Sequence, residues 1–479
     1  MWRNLYSHKF LGATIAIFLI CIIALVSFEE PLLLIIPFAV LIIPFLIQQA
    51  VFRTENLFWL LLITLPLSTE VNFTPSLGMD LPDELLMMLL TGFVMIKWIC
   101  NKNFISIDIY KTRLFSFLSL HILWIFVTCI YSVDAALSFK YFLAKTWFII
   151  PFVFLPQLFL NNKENIRKAL FCLIIPMMFV VIQSLVRHGI YNFSFEGVKD
   201  VLYPFFRNHV NYSAFLACCI PILWYADKFA TGKWKGNIKI ALWLSIIALF
   251  FAYSRGAWLA LLMGIVTVFV IKRKLMLQSL LAACIIISVS VAWLITDNNY
   301  LRFRPNYEQT IFHKNFSEHL GATVEMKDLS NAERFYRWIA GARMFADKPV
   351  TGFGPNTFYS NYRFYTVEQF RTYVSGNPEH SSVHNYFLLL ALEQGLPGMI
   401  IFMLLLSFML LQAQKLYHAI VDTFYKIAAL LIGVILVMIT VVNSMSDMIE
   451  TDKIGSLFWL CFGILIILSK KSKERIFPD

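Results

Sequence analysis

Apolar stretches long enough to cross a membrane recur along this sequence from residue 10 to residue 469. A helix needs about 20 such residues, each rising about 1.5 Å, to cross a hydrocarbon core of roughly 30 Å. Composition agrees: of 479 residues, 59% are apolar and 14% charged, and mean hydropathy is +0.71. Soluble domains run at about half apolar and a quarter charged. A soluble enzyme, a disordered chain and a secreted disulfide scaffold are thereby excluded. The sequence predicts an all-α polytopic membrane protein with about 12–14 transmembrane helices. Spans are expected near 10–27, 31–51, 57–68, 82–99, 112–131, 139–160, 165–187, 209–226, 239–254, 256–271, 275–296, 384–411, 424–443 and 453–470.

Net charge is +11, from 40 Lys and Arg against 29 Asp and Glu. A basic excess can signal nucleic acid, but here the basic residues lie in short clusters between apolar spans, with no basic arm or stacking motif. No nucleic-acid partner is expected. All eight cysteines fall inside or at the edge of apolar spans, so neither a disulfide framework nor a thiolate metal site is expected. Arg3 and Lys9 precede an apolar run with no small-residue cleavage site, which reads as a first membrane helix. With the N-terminus inside, one set of short loops collects about 23 basic residues, so both termini are expected in the cytoplasm. The opposite side receives a long loop, 297–383. It divides the chain into an N-terminal bundle, 1–296, and a C-terminal part, 384–479. A second outer loop is expected at 188–208. No internal repeat supports the paired halves of a transporter.

Chemistry is expected where polar residues gather on the outer side. Ser254-Arg255-Gly256 separates two short apolar runs. Arg255 either snorkels to headgroups or holds an anionic group with its planar fork of donors. Ser254 is expected to cap the next helix and Gly256 to permit the reversal. Residues 330–346 read as an amphipathic helix capped by Ser330 or Asn331, with Glu333 in its first turn. One face of it would show Arg334, Arg337 and Trp338; the alternative is a solvated face stapled by Glu333. Residues 351–358, TGFGPNTF, read as a Gly/Pro turn.

The segment from His380 to Gly398 is the most informative. A straight helix over 384–411 would be about 42 Å long, so Gly395, Pro397 and Gly398 are expected to break it. His384 would then occupy the first turn of a half-helix. A helix N-terminus lowers a histidine pKa and favours the neutral imidazole that a general base requires, unless His384 merely caps the helix. His380 and His384 have the spacing of a metal pair, but Asn377-Pro378 and Ser381-Ser382 argue against one continuous helix, and no metal is expected. Glu393 at membrane depth is a candidate, or a partner for the broken backbone. Weaker signals are Arg207 and Asn211 at the head of an apolar helix, Lys145 near the outer end of a span, and Asp447 with Glu450 in the last outer loop. Asp83 and Glu84 read as caps of the following helix.

Ser254-Arg255-Gly256-Ala257-Trp258, Arg334 with Trp338 ahead of Gly352-Phe353-Gly354, and His384-Asn385 with Glu393-Gln394-Gly395 and Gly398 together resemble the O-antigen ligase / O-antigen polymerase superfamily. Arg207-Asn208-His209-Val210-Asn211 is similar to that family's polar opening upstream of the Ser-Arg-Gly turn. The resemblance covers about 200–410. It implies a cofactor- and metal-independent glycosyltransferase of the bacterial inner membrane, with its site facing the periplasm. The donor would be an undecaprenyl-diphosphate-linked glycan. Ligases pass it to a lipid A-core sugar, polymerases to another lipid-linked repeat unit. Carried over residue by residue, Arg255 and Arg334 would bind the diphosphate and His384 would take the acceptor proton. Arg207, Asn211, Arg337, Asn385 and Lys145 would contact substrate, with Glu393, Asp447 and Glu450 as further candidates. The competing classes are a protein-directed oligosaccharyltransferase, a transporter of an anionic lipid or sugar, and a structural membrane subunit.

Overall fold

The fold comes from a computed structural model that describes residue 49 and residues 53–473, apart from 75–76, 102–103, 105–106, 230–231, 306–328 and 379. The spans expected at 10–27 and 31–51 lie outside the described residues, except for position 49. The chain is nearly all α. Its main helices are α1 (Thr54–Thr64), α2 (Asp83–Cys100), α3 (Arg113–Ile130), α4 (Ala135–Phe159), α5 (Lys163–Ile190), α6 (His209–Phe229), α7 (Lys233–Phe251), α8 (Arg255–Lys272), α9 (Met276–Ile295), α10 (Leu329–Asp347), α11 (Tyr386–Ala419), α12 (Thr423–Asn443) and α13 (Asp452–Lys473). Among the described residues, nine helices are long and apolar enough to cross a membrane: α3, α4, α5, α7, α8, α9, α11, α12 and α13. α2 and α6 are of similar length, 18 and 21 residues. α1 has only 11 residues and runs into a short 3-10 turn, so the apolar run expected over 57–68 is not a full crossing.

α13 is the central post. Its apolar residues cover every side, as in a helix with no solvent-facing stripe, and almost all of them are buried. α4, α11 and α12 pack around it. α8 lies along α12, and the contact is close because position 264 is a glycine: a Cβ there would come within 2.9 Å of Met438 Sδ. α9 is the exception. Leu281, Ile285, Ile286, Val289, Val291 and Ile295 are all exposed, covering every face of that helix. It is tied to the bundle near its ends, where Met276 N donates to Gln414 Oε1 (2.9 Å) and Trp293 meets Phe303, which stacks on Phe335 of α10.

The two ends of the bundle are stitched differently. At one end Lys163 pairs with Asp422 (2.6 Å), and His418 bonds the carbonyl of Ile271 (2.9 Å). The other end carries α10, the segments around it and a two-stranded antiparallel hairpin that the sequence reading did not expect. β1 (Thr69–Thr74) pairs with β2 (Leu77–Leu81), with Glu70 opposite Asp80. The hairpin base is held by a buried polar group. Lys453 Nζ donates to Asp452 Oδ2 (3.1 Å) and to the Ser68 carbonyl (3.2 Å), and Ser68 Oγ donates to Asp452 (3.0 Å). Asp83 and Glu84 do not cap α2: Pro82 is at the N-cap, and Asp83 is fully buried in the first turn.

Candidate active site

The site forms where α10 packs on the chain entering α11. A Cβ at Gly341 would sit 3.2 Å from Val383 and 3.1 Å from Leu392, so the two segments lie in direct contact. Arg337 and Arg334 are one and two turns earlier on α10, beside His384. α10 already runs from Leu329, so Ser330 and Asn331 lie inside the helix and do not cap it. Asn331 Oδ1 instead accepts from Arg334 Nη1 (3.3 Å). Glu333 is no solvated staple. It is buried, accepts from Arg337 Nη2 (3.2 Å) and takes hydrogen bonds from the hydroxyls of Thr372 and Ser375.

His384 is not in the first turn of α11. Asn385 is the N-cap, its Oδ1 accepting from Leu388 N (3.0 Å) while its Nδ2 donates to the Ser444 carbonyl (3.1 Å). That makes Asn385 an anchor between α11 and the last loop, with its side chain engaged in the fold. Tyr386 N donates to the Ser446 carbonyl (3.0 Å), a second stitch. His384 lies just before the cap at φ +54, a left-handed conformation that is uncommon outside glycine and clusters at functional sites. Its Nδ1 is 3.9 Å from Asp447 Oδ1, and its side chain is 33% exposed. Burial, with the charges of Arg337 and Arg334, lowers its pKa to about 3. The imidazole is therefore neutral at neutral pH. The expected direction is met, but the cause is burial and two guanidiniums in place of a helix N-terminus. Burial also raises the Asp447 carboxyl above the usual carboxylate range, against a hydrogen bond from Ser382.

The other expected residues fall into three places. Glu450 accepts from Lys145 Nζ (2.8 Å) and from the Tyr141 hydroxyl (3.0 Å), so Lys145 anchors the last loop to α4. Tyr141 was not singled out by the sequence. Arg255 heads α8, and the antiparallel packing of α8 on α12 puts it at the His384 end. Ser254 stands at the N-cap of α8 but its side chain makes no capping bond, and the reversal falls on Tyr253 (φ +52) and not on Gly256. Tyr253 is fixed there by its hydroxyl, which donates to the Phe193 carbonyl (2.7 Å). Arg207 pairs with Glu70 of the hairpin (3.1 Å), and Asn211 lies in the first turn of α6, where Asn208 caps its N–H (2.8 Å). Arg207 is held on the hairpin flank, and Asn211 has a buried Oδ1 with no hydrogen-bond partner among the described residues.

Glu393 belongs to a different arrangement. α11 is one helix interrupted at Gly395 (φ +69), where the break was expected. Residues 349–358 lie as a strap across that break. Leu396 N donates to the Pro349 carbonyl (2.8 Å), Phe353 N to Leu392 (2.9 Å) and Gly354 N to Glu393 (2.9 Å). The Glu393 carboxylate then receives Asn356 N (2.8 Å) and Phe358 N (3.0 Å). Its oxygens are used by strap backbone, which matches the alternative of a partner for broken chain. Among the described residues, no three His, Cys, Asp or Glu side chains gather as a metal set, and His380 stacks on Tyr359 (3.9 Å between rings).

Residues 240–403 match the family model described as O-antigen ligase. Arg255, Arg334, Arg337, His384, Asn385 and Glu393 lie inside that stretch; Lys145, Arg207, Asn211, Asp447 and Glu450 lie outside it. No curated protein matches the chain. The match supports a likeness of this multi-pass membrane protein to the O-antigen ligase / O-antigen polymerase superfamily over residues 240–403.

Proposed function

We propose that the protein is a glycosyltransferase that moves a glycan from an undecaprenyl-diphosphate donor to a sugar hydroxyl, of lipid A-core or a similar acceptor, at the outer face of the bacterial inner membrane. The carrying observation is the meeting of a neutral His384 with Asp447 behind it and two guanidiniums, Arg334 and Arg337, beside it. Transfer of this kind needs a base for the incoming hydroxyl and positive charge for the departing diphosphate. His384 takes the hydroxyl proton as the acceptor oxygen bonds to the anomeric carbon. The bond from that carbon to the diphosphate oxygen breaks, and the lipid diphosphate leaves with the electron pair. Attack opposite the leaving group inverts the anomeric centre. Preorganised donors aimed at developing charge are worth about 3–4 kcal/mol each, and a positioned base about 10²–10⁴-fold. Asp447 supports the imidazolium formed in the transfer. Arg255 is assigned to the diphosphate from its place in the matched stretch and at the same end of the bundle.

The test supplies purified full-length protein with a lipid-diphosphate-linked glycan, with and without lipid A-core. Glycan on the core supports the ligase reading. Lengthened lipid-linked chains without core identify a polymerase with the same donor chemistry. No product under either condition removes the proposal.

A further inference from the structure

The proposed site raises a question about how a guanidinium can be buried beside a histidine and still face a substrate. Arg337 is only 6% exposed, yet just one of its nitrogens, Nη2, bonds a protein partner, Glu333. Its Nε is buried with no hydrogen-bond partner among the described residues. A buried, unfilled donor on a charged group is costly unless something else completes it. Glu333 in turn is buried at 6% exposure and receives the hydroxyls of Thr372 and Ser375, which come from a turn about 40 residues downstream. That turn is itself closed by Thr372 N donating to Ser375 Oγ (2.9 Å). A carboxylate so fully engaged cannot turn away from Arg337. It fixes Nη2 of the guanidinium and leaves Nε for another partner, on a group whose charge acts on His384.

We propose that Glu333, clamped by Thr372 and Ser375, is a positioning residue that aims the free edge of Arg337 at the anionic leaving group of the substrate. The inference rests on the reading above that the substrate is a lipid diphosphate. It separates Arg337 from Arg334, whose Nη1 is turned back to Asn331 on its own helix.

Direct binding of undecaprenyl diphosphate to the full-length protein in detergent is the test. Arg337→Gln and Glu333→Gln are each expected to weaken binding by roughly ten- to a hundredfold, the loss typical when a residue that orients a ligand group is removed. The double variant is expected to bind no worse than Arg337→Gln alone, because Glu333 acts through Arg337. Thr372→Val should weaken binding and Thr372→Ser should restore it, a comparison that holds if Glu333→Gln fails to fold. A second readout is the acid limb of kcat/KM. The charged groups facing His384 are Arg334 and Arg337 from α10 and Asp447 from the last loop. Neutralising Glu333 with Arg337 still in place would push the limb lower, by removing a negative charge. Releasing Arg337 moves it up toward the ordinary histidine range, and an upward move is expected. Unchanged binding in Glu333→Gln, full additivity in the double variant, or a limb that moves down overturns the positioning role. If the wild-type protein does not bind undecaprenyl diphosphate and Arg337→Gln changes nothing, the lipid-diphosphate reading falls, and the inference with it.

Discussion

At the scale of single residues, His384 carries the most weight. Its pKa of about 3 means that it stays unprotonated across the physiological range. A general base works only while unprotonated, so kcat/KM is expected to hold level as pH falls through 6.5, with its acid limb far below that, at about 3. A limb near 6.5 in the pH–rate profile would show that the two guanidiniums and burial do not act on the base. His384→Ala is expected to lower kcat by about 10²–10⁴-fold with membrane insertion intact, measured by turnover and by fractionation. Asp447→Asn is expected to lower kcat with little change in KM, since Asp447 faces the imidazole and not the proposed substrate position. The histidine was legible because His384-Asn385 opens an apolar helix after a polar run. Its environment was less so. Arg337 and Asp447 reach it from segments 47 residues before and 63 residues after, and no local spacing encodes that meeting. The same limit hid Glu333, which looked like a surface charge until Thr372 and Ser375 were seen against it.

At the scale of elements, the informative unit is the strap over the α11 break. Glycine, proline and glycine at 395, 397 and 398 made the interruption readable from the sequence, and TGFGPNTF made the turn readable. That the turn fits into the break was not readable, because the bonds join backbone atoms about 40 residues apart. Gly395 is required twice over: its φ is +69, and a Cβ would overlap the carbonyl of Val350. Gly395→Ala is therefore expected to destabilise the fold by about 1–3 kcal/mol or more, the cost of a strained backbone, read as a lower thermal unfolding midpoint. Glu393→Ala strips two backbone N–H groups of their acceptor and is expected to loosen the strap, read as faster amide exchange at Asn356 and Phe358. The hairpin at 69–81 was missed because it is short and lies between two apolar helices. Glu70 of the hairpin finds its partner in the loop before α6, and Ser68 just ahead of it finds one in α13.

At the scale of the whole molecule, helix placement followed the apolar pattern closely, from α2 through α13, since span length is set by the bilayer and not by tertiary context. Orientation is carried by charge. The end with Lys163, His418 and the basic loops is expected to face the cytoplasm, and the end with α10 to face outward. Phe364 is 86% exposed and Val421 68% exposed, on opposite ends. In a background without native cysteines, Phe364→Cys is expected to react with an impermeant thiol reagent on intact spheroplasts, and Val421→Cys only after the membrane is opened. The reverse pattern would invert the topology. The strap also sets an order of assembly. Part of its resting place is built from the helix that follows it in the chain, so residues 349–358, although they also bond Val133 and Ser138 upstream, complete their docking only when 386–419 has been synthesised and inserted. A nascent chain halted before that helix carries Arg334 and Arg337 of α10 with their partners Asn331 and Glu333, but not the backbone of the α11 break that the strap crosses, so the region around His384 is completed late in biogenesis.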